Sequence, residues 1–189
     1  MTADQRSLRR NMMAIVEHIR LSAASIACAW LVAGAASAHV TIAPAEGAAG
    51  AMVEGRFSVA HGCDAAATVA VRVRIPEGVS AVKPQMKAGW RVEVKKRKLA
   101  QPFKAEHGRV IAETVEEVDW IGGPLPDHLY DDFGIRMRLP DAGSRILYFP
   151  VVQECEKGVN RWIEIPTGEQ RSGDLRAPAP AMTITPKVP

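Results

Sequence analysis

The chain has 189 residues, 24 Lys+Arg against 21 Asp+Glu and 47% hydrophobic residues, which excludes a disordered chain, a collagen-like repeat and a polytopic membrane protein. The first 38 residues hold four of the basic and two of the acidic side chains, so the remaining 20 basic and 19 acidic residues nearly cancel. A domain so balanced has no electrostatic reason to seek nucleic acid or an anionic membrane surface, and neither is expected as a partner.

Arg6, Arg9, Arg10 and Arg20 precede an apolar run from Leu21 to Ala35, followed by Ala36-Ser37-Ala38. A charged segment, a short apolar run and a small-x-small site predict a secretory signal peptide over residues 1–38, cut after Ala38. The run of about 15 residues is short of the roughly 20 that a membrane span needs. Export to the periplasm is the expected localisation. Cleavage makes His39 the first residue, and an N-terminal histidine offers its α-amine and ring Nδ1 to one metal ion in a six-membered chelate. That amine titrates at about 7.7–8.0, so a metal displaces its proton near neutrality, and two nitrogen donors in a tetragonal arrangement suit Cu(II).

The rest of the chain reads as short strands. Val40–Ile42, Val53–Val59, Thr68–Ile75, Arg91–Val94, Arg109–Val115, Phe133–Leu139, Ile146–Val152 and Arg161–Ile165 alternate apolar and polar residues. Pro44, Pro76-Glu77-Gly78, Gly122-Gly123-Pro124, Pro140–Gly143 and Pro166–Gly168 supply turn signals between them. Lys95–Lys98 reads as a solvated basic turn. The pattern predicts an all-β chain, an antiparallel β-sandwich over residues 39–170, and a Pro- and Ala-rich tail over 171–189 in which Met182–Thr185 adds an edge strand.

Cys28 leaves with the signal peptide, so Cys63 and Cys155 form an even pair in an exported domain, and a disulfide is the default. A thiolate metal site with His61, two residues before Cys63, is the alternative. Of the other histidines, His107 lies in a turn and His128 in a polar loop. Met52, Met86, Met137 and Met182 are scattered, which favours Cu(II) over Cu(I). No Gly-x-Ser-x-Gly setting, phosphate loop or His-Glu-x-x-His helix occurs, so the expected protein is not an enzyme.

The block His39–Gly50 resembles the start of the YcnI-type copper-binding domain. So do His61-Gly62-Cys63, Val73–Val79, Lys83-Pro84, Gly89-Trp90, Trp120 with Gly122-Gly123, Phe133, the spaced Gln153, Cys155, Glu156 and Gly158, and Trp162, all in family order. The resemblance implies a cupredoxin-like sandwich beyond the cytoplasmic membrane. It also implies one Cu(II) held by a single-histidine brace, the amine and ring nitrogen of one residue, with a tryptophan close by. Carried over, His39 fits the brace and Trp162 the tryptophan, with Trp90 and Trp120 at other family-like positions that read as core aromatics. Glu46, Glu54 and Glu164 are candidates for an oxygen donor. Glu54 is selected because its strand is expected to pair with the first, a solvated surface glutamate being the plain alternative for each.

The resulting expectation is a copper storage protein or metallochaperone in copper homeostasis, its partners the copper ion and a copper-transport protein at the membrane. Two other classes stay open. A copper-dependent oxidase of the lytic oxygenase kind needs a second histidine beside the N-terminus, which His61, His107 or His128 supplies only if folding brings it there. A metal-free adhesion or assembly sandwich needs no copper affinity at all.

Overall fold

The computed structural model describes residues 39–104, 108, 110–141 and 144–187, the side chains of 103 and 104 excepted. The expected signal peptide, its cleavage residue Ala38 and His107 lie outside the described residues. Twelve strands follow in order: β1 (Thr41–Ala43), β2 (Glu46–Ala48), β3 (Met52–Val59), β4 (Thr68–Arg74), β5 (Ser80–Pro84), β6 (Trp90–Lys104), β7 (Val110–Leu125), β8 (Asp131–Arg138), β9 (Arg145–Tyr148), β10 (Val151–Cys155), β11 (Val159–Trp162) and β12 (Ala181–Thr185).

They pair into a four-stranded sheet in the order β1-β3-β8-β5, a five-stranded sheet in the order β11-β10-β4-β7-β6, and a three-stranded sheet in the order β2-β12-β9. Every pairing is antiparallel except β2 with β12. The period-two alternation sends one face of each strand inward. Phe57 and Val59 on β3 and Phe133, Ile135 and Met137 on β8 meet Val71 and Val73 on β4, Val118 and Trp120 on β7 and Val151 on β10 in one buried cluster. The expected antiparallel β-sandwich is the observed architecture.

Three expectations need correction. Lys95–Lys98 is not a turn: it lies within β6, where Lys95 is opposite Glu117 and Lys98 opposite Glu113 on β7. Cross-strand charge pairing stabilises a basic run in an edge strand. Gly122–Pro124 is not a hairpin turn either, but an irregularity inside β7 where the register with β4 shifts. Gly123 has a φ of +82°, and a Cβ there would come within 2.6 Å of the Trp90 ring, so only glycine fits.

The third correction concerns the ends of elements and of the domain. The run Ile146–Val152 divides at Phe149-Pro150 into β9 and β10, which belong to different sheets; Pro150 has no N–H to continue a ladder. The segment after residue 170 is not an appendage. β12 is the central strand of the small sheet, and its inward residues Met182 and Ile184 are buried in the common core. The sandwich therefore extends to Thr185.

Cys63 and Cys155 form the expected disulfide, with Cα atoms 5.9 Å apart and a sequence separation of 92. In the chain-entropy account a loop of that size contributes about 4–5 kcal/mol. The bond also fastens the segment after β3 to the end of β10, and so fixes one end of the region described next.

Candidate metal centre

Backbone register brings the first residue of the expected mature chain to the end of β3. Thr41 is opposite Ser58 on the antiparallel neighbour, and extending that ladder by two residues sets His39 level with Ala60, next to His61. The segment His61-Gly62-Cys63 then turns sharply. Cys63 and Ala66 exchange backbone hydrogen bonds of 3.1 and 2.9 Å, and a Cβ at Gly62 would lie 1.8 Å from the Ala66 carbonyl oxygen. Only glycine can sit there, which explains its place between the histidine and the cysteine.

Trp162 closes this corner from the other sheet. Its position on β11, opposite Val151 on β10, points the indole inward, and it is only 9% exposed. The His39 and Trp162 ring centroids are 5.3 Å apart with planes at 63°, and those of His61 and Trp162 are 6.4 Å apart at 82°. Both imidazoles are thus edge-to-face neighbours of one indole. Trp162 Nε1 donates to Gln153 Oε1 at 3.1 Å, so the indole nitrogen is spent inside the protein; the ring serves as a wall, not a ligand.

Gln153 is the hub that holds these parts. It is 1% exposed, and its amide uses all its capacity. Nε2 donates to the His61 carbonyl at 2.6 Å and to Thr68 Oγ1 at 2.8 Å, while Oε1 accepts from Trp162 and, at 3.5 Å, from Asn160 Nδ2. A buried amide with four partners orients each of them, because any displacement strands a polar group. Further ties hold the same loop: Gly62 N–H donates to Asp127 Oδ1 at 2.9 Å, and Asn160 Nδ2 donates to the Gly62 carbonyl at 3.3 Å.

The structure does not bring the selected carboxylate here. Glu54 lies six register positions along β3 from Ala60, about 20 Å at roughly 3.4 Å per residue. It points outward opposite Arg136 on β8, in a groove shared with Arg56 and Lys83. Pairing of its strand with β1, the reason for choosing it, is correct; its position along that strand removes it from His39. Glu46 is paired with Thr183 on β12, and the Glu164 carboxylate accepts the Ala177 N–H at 2.9 Å. The thiolate alternative falls with the disulfide. Among the described residues no three of His, Cys, Asp and Glu form a metal-holding group. A mature His39 would add its α-amine to the imidazoles at this corner as a further nitrogen donor.

Of the other tryptophans among the described residues, Trp120 is fully buried against Phe133 with its Nε1 donating to the Gln85 carbonyl, and Trp90 packs on the same phenyl ring. Both are core aromatics, as expected. The sequence marks Gln153 only as part of a family-like block, without a role, and offers His61 as a partner of Cys63 or as one of three candidate second histidines. The available signal for Gln153 was parity: it occupies an inward position between Val151 and Cys155, where an amide must have buried partners.

The outer face of the same strands carries charge instead. Arg72 Nε and Nη2 donate to the two oxygens of Glu154 at 2.9 and 3.2 Å, and Arg72 Nη1 reaches the fully buried Asp119 at 2.8 Å. Hydrogen bonding from Arg72 lowers the Glu154 carboxyl from its ordinary value, and hydrogen bonding to Glu154 raises the guanidinium. Lys95 is raised by its bonds to Glu117 and then Asp119.

A family model described as a domain of unknown function (DUF1775) matches residues 39–184, beginning at His39 and ending within β12. A crystal structure of an uncharacterized protein from Nocardia farcinica, described as revealing an immunoglobulin-like fold, aligns with a TM-score of 0.58 and 23% identity over 78% of this chain and 98% of that one. At that identity the likeness concerns the fold, and it agrees with an antiparallel β-sandwich. No curated protein matches the sequence.

Proposed function

This chain belongs to the DUF1775 domain family, the family of YcnI-type proteins, and on that premise we propose that it is an exported periplasmic protein that binds one Cu(II) through a mature N-terminal His39. Copper is its cargo, which it stores or passes to a copper-transport partner at the membrane. The observation that carries the reading is the position of His39. It directly follows a small-x-small cleavage signal, it begins the family match, and its ring lies 5.3 Å from that of the buried Trp162.

The chemistry follows from the donor set. Amine and Nδ1 from one residue hold Cu(II) without a protein carboxylate, and Trp162 limits water on one side of the imidazole. A site with so few protein donors releases its ion by ligand exchange, as storage or delivery requires. The Cys63–Cys155 disulfide fits an oxidising compartment.

The test compares protein recovered after export, its N-terminus confirmed by mass, with protein carrying one added alanine before His39. The exported form is expected to give a 1:1 tetragonal Cu(II) EPR spectrum with nitrogen coupling that the added alanine alters or abolishes. Equal spectra from both forms would place the site on internal ligands instead. One observation favours a second reading, a copper-dependent oxidase: His61 lies beside the same indole as His39. Peroxide-driven turnover by the copper-loaded protein above that of free Cu(II) separates the two.

A further inference from the structure

We propose that His61 supplies a second imidazole to the copper held by His39, converting a single-histidine brace into a three-nitrogen set of the His39 amine, His39 Nδ1 and His61 Nε2. The inference rests on the copper reading above and adds a ligand to it.

Four observations support the assignment. The first is position: Thr41 is opposite Ser58, His39 precedes β1 by two residues and His61 follows β3 by two, and both rings pack edge-to-face against Trp162. The second is the tautomer. His61 Nδ1 is 2.5 Å from the Gly62 carbonyl oxygen, which can only accept, so in this contact Nδ1 is the donor and Nε2 is the nitrogen that a metal would take. Ligating histidines characteristically donate their second ring N–H to a carbonyl in this way, which fixes the ring and raises its basicity.

The third observation is the support beneath the ring. The His61 carbonyl is held by the buried Gln153, Gly62 by Asp127 and Asn160, and Cys63 by the disulfide, so consecutive residues are all tethered to rigid elements. A ligand held this firmly loses little freedom when the metal arrives. The fourth is the surrounding chemistry. Two imidazoles face one indole here, and Cu(II) favours neutral nitrogen donors of this kind.

The experiment uses the exported protein that begins at His39, loaded with one equivalent of Cu(II), and counts coordinated imidazoles by electron spin echo envelope modulation. Two imidazoles are expected in the wild type, shown by combination lines of the remote ring nitrogens. His61→Ala is expected to retain one, to bind Cu(II) at least about tenfold more weakly, and to recover the two-imidazole pattern when free imidazole is added. A wild-type protein that binds one Cu(II) through a single imidazole overturns the inference and leaves the brace intact. A wild type that binds no Cu(II), or binds it equally with an alanine before His39, overturns the brace reading and the inference together. Should His61→Ala fail to fold, the wild-type count alone decides.

Discussion

The five-stranded sheet presents a tryptophan at each edge, Trp162 on β11 and Trp90 on β6, and the two edges use their rings differently. At the β6 edge Trp90 packs on Phe133 with centroids 5.0 Å apart and planes at 86°, and the Lys87 ammonium stands 4.9 Å over the same phenyl ring. That lysine is committed to Asp131 Oδ1 at 2.6 Å and the Asp132 carbonyl at 2.8 Å. Charge and aromatic surface both find their partners there, and the result is packing. At the β11 edge the rings facing the indole are imidazoles, and beneath them is a buried amide instead of hydrocarbon. The same edge-to-face geometry thus serves cohesion at one edge and sets two imidazoles against an indole at the other.

The comparison breaks most severely if Gln153 is not a hub. Gln153→Met keeps much of the volume but strands the Trp162 N–H, the His61 carbonyl and the Thr68 hydroxyl. At about 1–3 kcal/mol for a buried group left unpaired, partly relieved by local movement, the expected cost is about 3 kcal/mol in urea unfolding. It should be accompanied by a broadened Cu(II) spectrum. A loss below about 1 kcal/mol would mean that the four partners rearrange freely and that nothing at this edge is held in place.

A paired substitution sharpens the contrast at lower cost. Trp162→Phe and Trp90→Phe each shorten one edge indole, and each is expected to cost about 1–2 kcal/mol, within the usual range for a single substitution. Only the first should affect copper. One equivalent of Cu(II) is expected to quench tryptophan fluorescence strongly in the wild type and in Trp90→Phe, but weakly in Trp162→Phe. The reverse pattern would put the ion at the β6 edge, near His128 and Tyr130.

Much of this contrast was legible in the sequence, for identifiable reasons. Alternation is a local property, so β3, β4 and β8 could be read directly, and an even cysteine pair in an exported domain has one pairing available. β2 and β5 were missed because Glu46-Gly47-Ala48 holds no β-branched or aromatic residue and Ser80–Pro84 ends in a proline, both poor strand signals. β12 was seen as a strand but mistaken for an edge, because strand order is a long-range property that a Pro-rich flank does not reveal. The site divides similarly. His39 is marked by the cleavage signal, and Trp162 by its place in the family order. The misplacement of Glu54 shows the limit: choosing the right neighbouring strand is insufficient without the register, which sets the ligand's position along it. His61 was weighed in the sequence as a partner of Cys63 and as a second histidine, but only the folded chain sets it beside the same indole as His39.

The smallest expected effect tests whether the two faces of β10 are independent. Glu154 follows Gln153 in sequence but points outward, where Arg72 holds its carboxyl below the ordinary value. A carboxyl so lowered contributes stability above its unfolded pKa of about 4.3, and that contribution is lost as pH falls through the lower folded value. Because Glu154 is 37% exposed, the pair is screened and contributes at most about 1 kcal/mol. The stability difference between wild type and Glu154→Gln, from urea unfolding, should therefore stay level from about pH 6 to 8 and shrink toward zero in acid below about pH 4. Lys95 has the opposite sign: its raised ammonium contributes below its unfolded value and loses that contribution only as pH rises through the folded one, so it does not confuse the acid limb. The copper spectrum of Glu154→Gln should match that of the wild type. A changed spectrum would mean that loss of the outer ion pair shifts β10 enough to move Gln153, and the rigidity ascribed to the β11 edge would then depend on charge as well as on the buried amide.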